Sequence, residues 1–178
     1  MFGILEFIVN SVAYMLGGVL LLRFWMQAVR VRAPAREGHF IFTLSDWLVR
    51  PMRRVIPGVG GYDWASLIGA LLVIALASSI FLLRGLSLEG VALLTLFRFL
   101  TWPLYGFWGL LVLEVVFSWI NPNAPMAPFV RALNDPLSRP VRRLIPPLGG
   151  MDFSPMVIML LLYIALRLVE VAFGISSV

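Results

Sequence analysis

Four apolar runs set the terms for what this chain can become. They cover residues 7–29, 66–83, 100–120 and 156–173. Each is close to the roughly 20 residues a helix needs to cross the hydrocarbon of a bilayer. Asn10 and Arg23 interrupt the first, Glu114 lies in the third, and Arg167 and Glu170 sit near the far end of the fourth. The second has only Ser78 and Ser79 as polar members after its start. In lipid each backbone N–H and C=O needs an internal partner, so every run is expected to be helical. Composition agrees, because 61% of the 178 residues are hydrophobic and only 13% are charged. A soluble domain is about 45–50% apolar and about 25% charged. The expected fold class is therefore all-α, an integral membrane protein with four transmembrane helices.

The charge is carried by arginine, which supplies all 14 basic residues against nine acidic ones. Arg30, Arg32, Arg36, Arg50, Arg53 and Arg54 fall between runs one and two, and Arg131, Arg139, Arg142 and Arg143 between runs three and four. Only Arg84 and Arg98 lie between runs two and three. The positive-inside tendency then places both long loops in the cytoplasm and both termini outside. With the arginines acting as topology signals, direct nucleic-acid contact is not expected. The chain has no Cys, which excludes disulfides and thiolate chemistry. Its single His, His39, reads as a solvated loop residue, so no metal or other cofactor is expected. The first run is preceded by Glu6 and no basic residue, unlike a cleaved secretory signal.

The most informative feature is an internal repeat. The segment 46–63 aligns without gaps on 135–152, at an offset of 89 residues, and 11 of its 18 positions are identical. The shared residues include Asp46 and Asp135, Arg50 and Arg139, Pro51 and Pro140, Arg53 and Arg142, Arg54 and Arg143, Gly60-Gly61 and Gly149-Gly150, and Asp63 and Asp152. Each copy follows one span and precedes another, so the two halves, residues 1–88 and 89–178, form a parallel repeat.

Local chemistry gives each copy an expected shape. Asp46 and Asp135 read as helix N-caps, with Pro136 at a first helical position. Leu44, Trp47, Leu48, Met52 and Val55 recur at helical spacing with the arginines largely opposite, as in a basic amphipathic helix lying in the headgroup region. Pro51 and Pro140 should kink that helix. The Gly-Gly pairs supply a sharp reversal in which positive φ costs little, and Asp63 and Asp152 cap the following spans. The clusters Arg50, Arg53, Arg54 and Arg139, Arg142, Arg143 then serve to set topology and attract anionic lipid, or to dock an acidic partner. Repetition of both Arg and Asp implies that the two loops pack together about a pseudo-twofold axis.

Ionisable residues inside a span are costly and ask for partners. Arg23 and Glu114 lie at nearly matching depths in runs one and three and are expected to form an intramembrane ion pair. Arg167 and Glu170 are three apart and can pair along one helix, with Arg98 a second candidate partner. Trp25, Trp102, Trp108 and Trp119 read as interface-belt residues. Gly17-Gly18 and Gly69-Ala70 offer small surfaces for close helix contact.

The segments 118–125 (Ser-Trp-Ile-Asn-Pro-Asn-Ala-Pro) and 134–155, which runs from Asn134-Asp135-Pro136 through Arg139-Pro140 and Gly149-Gly150 to Ser154-Pro155, closely resemble the YggT family, also called YlmG. The duplicated form resembles its two-repeat members. The first copy departs at Trp47 and Gly58, where the pattern has Pro, and at Ala65-Ser66, where it has Ser-Pro, which casts that copy as structural support. The resemblance implies no catalytic residue set. It implies a link to osmotic-shock tolerance in bacteria, to cell division and nucleoid distribution, and, in chloroplast relatives, to assembly of a cytochrome complex.

The expected function is non-enzymatic: a membrane protein whose basic cytoplasmic face engages anionic lipids or a membrane or cytoplasmic protein, in stress tolerance or assembly. The alternative is a small channel or transporter active in osmotic response. With so few polar residues in run two, a pore would require a homo-oligomer. An enzyme has least support, because no nucleophile–base pair is evident and Gly58-Val59-Gly60-Gly61 lacks the Lys-Ser/Thr of a phosphate loop.

Overall fold

The computed structural model of the chain describes residues 2–145 and 152–174, which are almost wholly helical. The helices are α1 (Phe2–Ala28), α2 (Ala35–Val55), α3 (Trp64–Ser79), α4 (Leu88–Ile120), α5 (Ala127–Leu144) and α6 (Ser154–Ala172), with a short 3-10 turn over Ile80–Arg84 after α3. Four segments are long and apolar enough to cross a membrane: Gly3–Ala28, Trp64–Arg84, Leu88–Ile120 and Ser154–Ala172. Large side chains such as Phe7, Leu76, Leu160 and Leu168 stand exposed on them, as expected of a surface solvated by lipid. The protein is an integral membrane protein built as two parallel repeats, each a span, an amphipathic helix and a returning span.

The third span begins earlier than its apolar run. Ser87 caps α4 by accepting the Gly90 N–H, and the helix runs from Leu88 through Pro103. At 1.5 Å per residue its 33 residues reach about 50 Å, well beyond the roughly 30 Å of hydrocarbon. Its first turns therefore extend past the apolar layer, which explains why residues 88–99 did not register as span.

The amphipathic helices also start earlier than their local signals. α2 begins after Pro34 and α5 after Met126, so Asp46 and Asp135 lie inside helices and do not cap them. Pro128 sits in the first turn of α5, where proline is tolerated, and before Asp46 α2 runs through Gly38 unbroken. Each Asp instead pairs one turn ahead, with Arg50 and Arg139. Both helices continue through Pro51 and Pro140, and α5 also through Pro136. Asp63 caps α3 as expected, accepting the Ser66 N–H, whereas the cap position of α6 is Phe153, so Asp152 stands one residue ahead of it and accepts the Ser154 N–H from there. Gly60 and Gly61 adopt positive φ, 69° and 82°, in the reversal that leads into it. The matching Gly149 and Gly150 lie outside the described residues.

Three apolar clusters join the elements. One holds Ala13, Ile74, Ala77 and Trp102, from α1, α3 and α4. A second joins Leu20 of α1, Val49 of α2 and Ala65 and Ala70 of α3. The third surrounds Met26 at the end of α1, where Ile41 of α2 meets Phe129, Val130 and Leu133 of α5. The two amphipathic helices thus share an apolar cluster at the end of α1. Trp102 departs from its expected belt role: it is buried, its ring centroid lies 4.4 Å from that of Tyr14, and it packs on Gly17. A Cβ on Gly17 would approach Trp102 to 2.6 Å, so the small residue is what admits the indole.

Candidate functional site

Each repeat builds a polar cluster from a span residue, its amphipathic helix and an Asp at the start of its second span. In the first repeat Arg23 Nη1 donates to Ser45 Oγ and Asp46 Oδ1, both at 2.7 Å. Its Nε lies 3.4 Å from Asp63 Oδ2. Arg53 Nη2 reaches the same Asp63 oxygen at 2.6 Å, and Ser66 Oγ donates to it at 2.6 Å. In the second repeat Arg142 takes the centre, with Nη2 3.0 Å from Glu114 Oε1 and Nε 2.7 Å from Asp152 Oδ2. Asn134 Nδ2 donates to Glu114 Oε2 at 2.8 Å. Asp152 Oδ1 accepts the Ser154 N–H at 2.9 Å, at the start of α6.

The expected ion pair between Arg23 and Glu114 is therefore replaced by two separate clusters. Each charge points toward the amphipathic helix of its own repeat, where opposite charges stand closer than the other span does. Arg23 answers Asp46 and Asp63, and Glu114 answers Arg142. The span charge changes sign between the repeats while the loop charges repeat. The Arg167–Glu170 pair does form, at 2.8 Å. Arg98 instead donates to Ser78 Oγ at 3.3 Å and covers the Phe81 ring.

The interfacial carboxylates are held ionised. Burial works against the charge on Asp63, but hydrogen bonds from Arg53 and Ser66 and the charges of Arg53 and Arg23 outweigh it, so its carboxyl titrates below the ordinary carboxylate range. Burial likewise opposes, and Arg23 and Arg50 overcome, for Asp46. Asp152 is lowered against burial by Ser154 and Arg142.

The six arginines of the repeated motif divide into two groups. Arg53 turns inward onto Asp63, the cap of α3, and Arg142 onto Asp152, just ahead of α6. Arg50 and Arg139, 78% and 71% exposed, point away from the bundle. Arg54 and Arg143 are exposed and make no ion pair among the described residues. On α2 the outward stripe runs Arg36, Phe40, Trp47, Arg50 and Arg54 at helical spacing, all exposed. On α5 it carries Arg131, Arg139 and Arg143. Trp47 therefore belongs with the arginines and not with the packed face, which is Ile41, Ser45 and Val49.

Sequence reasoning passed over Ser45 and Asn134. Both are fully or nearly fully buried beside the span charge. They occupy matching positions at the 89-residue offset, yet they differ in type, so a search for identities skips them. Trp25 matches Glu114 in the same way. Its Nε1 donates to the Leu133 carbonyl at 2.9 Å and ties the first repeat to α5.

Between α1 and α4 lies a cavity of about 630 Å³, walled among others by Tyr14, Phe24, Trp25, Trp102, Tyr105 and Phe107. Its wall is overwhelmingly apolar. Among the described residues no group of three His, Cys, Asp or Glu could hold a metal ion.

Comparison with known proteins accords with this duplicated architecture. The family model described as CCB3/YggT matches twice, over residues 2–84 and 93–173. The chain is 36% identical to the uncharacterised protein YggT of Escherichia coli K12 over 165 residues, covering 90% of this chain and 86% of that protein. It is 33% identical to an uncharacterised protein of Pseudomonas aeruginosa, covering 85% of this chain and 79% of that protein. An uncharacterised protein of Haemophilus influenzae is 32% identical, over 81% of this chain and 79% of its own length. No solved structure matches the chain. A family model that spans both halves, on a fold whose halves repeat span, amphipathic helix and span, shows that the chain belongs to the CCB3/YggT family.

Proposed function

We propose that this protein is a non-enzymatic membrane platform whose outward arginines bind anionic lipid and recruit a protein partner, in support of envelope assembly or osmotic-stress tolerance. The observation that carries the reading is the division of the motif arginines. Arg53 and Arg142 are committed to carboxylates that brace the bundle, whereas Arg50, Arg54, Arg139 and Arg143 face outward from two helices that share one apolar cluster. Phosphate headgroups attract such side chains by roughly 1 kcal/mol each near the surface, and Trp47 adds an interfacial anchor. In this reading the basic face is cytoplasmic, the membrane is the bacterial inner membrane, and both termini lie outside the cytoplasm.

The channel alternative draws less support from the molecule. The space between α1 and α4 is walled by aromatic and aliphatic side chains, with no continuous polar lining for a solute. Recruitment is tested by crosslinking and pull-down from native membranes, comparing the natural protein with a variant neutralised at Arg50, Arg54, Arg139 and Arg143. Loss of the captured partner supports the platform. An unchanged partner set reduces these arginines to topology signals, and robust ion or osmolyte flux through reconstituted protein overturns the platform in favour of the channel.

A further inference from the structure

The two polar clusters are alike in plan but differ in what they leave unpaired: in the first, Arg23 Nε has no hydrogen bond but lies 3.4 Å from the Asp63 carboxylate, whereas in the second the unpaired atoms are oxygens. Ser45 in the first repeat is fully used, since its Oγ accepts from Arg23 and donates to the Ile41 carbonyl at 2.7 Å. Its counterpart Asn134 spends its Nδ2 on two acceptors, the Leu110 carbonyl at 3.0 Å and Glu114 Oε2 at 2.8 Å. Neither of those atoms can donate, so the amide orientation is determined, and Oδ1 is left without a partner although the residue is fully buried. One turn further along α5, Ser138 is also fully buried, and neither its Oγ nor Asn134 Oδ1 has a partner among the described residues. The matching residue of the first repeat is Val49, which packs in an apolar cluster and needs none.

These two oxygens fall on one face of α5, beside Glu114 and one turn before Arg142, and Ser154 Oγ at the start of α6 and Asn10 Oδ1 on α1 are unpartnered too. Buried oxygens without partners are costly, and a hydroxyl at a position where the other repeat has an aliphatic side chain calls for a ligand. Asn134 Oδ1 can only accept, so the ligand must be a donor or a cation. Charge chooses between classes. Glu114, Asp135 and Asp152 face Arg139 and Arg142, leaving this cluster one charge negative, whereas Asp46 and Asp63 face Arg23, Arg50 and Arg53 and leave the first cluster one charge positive. A single positive charge balances the second cluster. Divalent ions are disfavoured by the nearby Arg142 and by the absence, among the described residues, of three converging acidic or imidazole groups. Carboxylate, amide and hydroxyl oxygens are the ligands that hard monovalent cations take in membrane interiors.

We propose that the second repeat binds one alkali-metal cation at Glu114, Asn134 and Ser138, while the first repeat, with Arg23 in place of the cation and Val49 in place of Ser138, is its structural counterpart. Arg23 supplies from within the protein the positive charge that the second cluster takes from solution. This site does not require any partner that the outward arginines recruit.

The test uses the full-length protein in detergent micelles. Thermal unfolding is followed by tryptophan fluorescence in NaCl, KCl or choline chloride at constant ionic strength. A saturable rise in Tm with Na+ or K+, absent with choline, is expected, and the lower midpoint concentration identifies the preferred ion. S138V and N134S each import the residue of the first repeat and should move that midpoint at least tenfold upward. V49A, in the first repeat, should leave the midpoint unmoved. Equal Tm in all three salts overturns the site, and so does a midpoint that neither variant shifts. Should S138V not fold, S138A replaces it in the same titration and is judged by the same outcomes.

Discussion

Arg23 Nη1 stands 2.7 Å from Asp46 Oδ1, which joins the end of the first span to the amphipathic helix of its own repeat. Glu114, at the corresponding depth of the third span, is joined to Arg142 instead. The two span charges share no partner, and that separation has a measurable consequence. Removing a buried charge strands its partners, so R23A and E114A should each destabilise by about 3 kcal/mol. The double variant should lose the sum of the two single losses within about 0.5 kcal/mol. Unfolding titrations in mixed micelles measure all three. A double variant much less damaged than that sum would restore the direct pair.

Asp63 and Asp152 occupy equivalent positions, but their surroundings differ in depth. Asp63 is 2% exposed and serves two arginines, Ser66 and the start of α3. Asp152 is 37% exposed. D63N should therefore cost about 3 kcal/mol, in the range for breaking a buried pair, and D152N clearly less. Parallel Tm measurements check the order, and equal losses would contradict it.

Acid should loosen the amphipathic helices at a defined point. Asp46, Asp63 and Asp152 have carboxyls lowered in the folded protein, so their contribution is fully present above the unfolded carboxylate value of about 4 and is lost as pH falls below it. Stability should be flat from about pH 8 to 5 in this respect and then decline below about pH 4. Near-UV circular dichroism against pH is the measurement, and D46N with D63N should flatten the acid limb.

Gly17 and Gly18 are neighbours with opposite tolerance. A methyl at Gly17 meets the buried Trp102 indole, and a methyl at Gly18 meets nothing within 4 Å. G17A should lower stability by about 1–3 kcal/mol, the usual cost of overpacking, and G18A should be close to neutral. Unfolding midpoints of the two variants, run side by side, decide it.

The sequence alone determined the four spans, the parallel duplication, the Asp63 cap and the Gly60-Gly61 reversal. Each follows from a local cause that outweighs context: about 20 apolar residues in lipid admit only a helix, and an Asp before Trp64 or a Gly-Gly pair acts within one turn. The start of α2 at Ala35 and of α5 at Ala127 was not legible, because the Asp-Arg spacing that marks a helix start equally suits an internal pair at one-turn spacing. Tertiary structure alone decided the partners of Arg23 and Glu114. Depth along a span says how far a charge lies from water, but not which way it faces around the helix axis. That direction comes from how α1 and α4 pack on α2 and α5. The same rotation separates inward Arg53 and Arg142 from outward Arg50 and Arg139, residues that stand only three apart in one repeated motif.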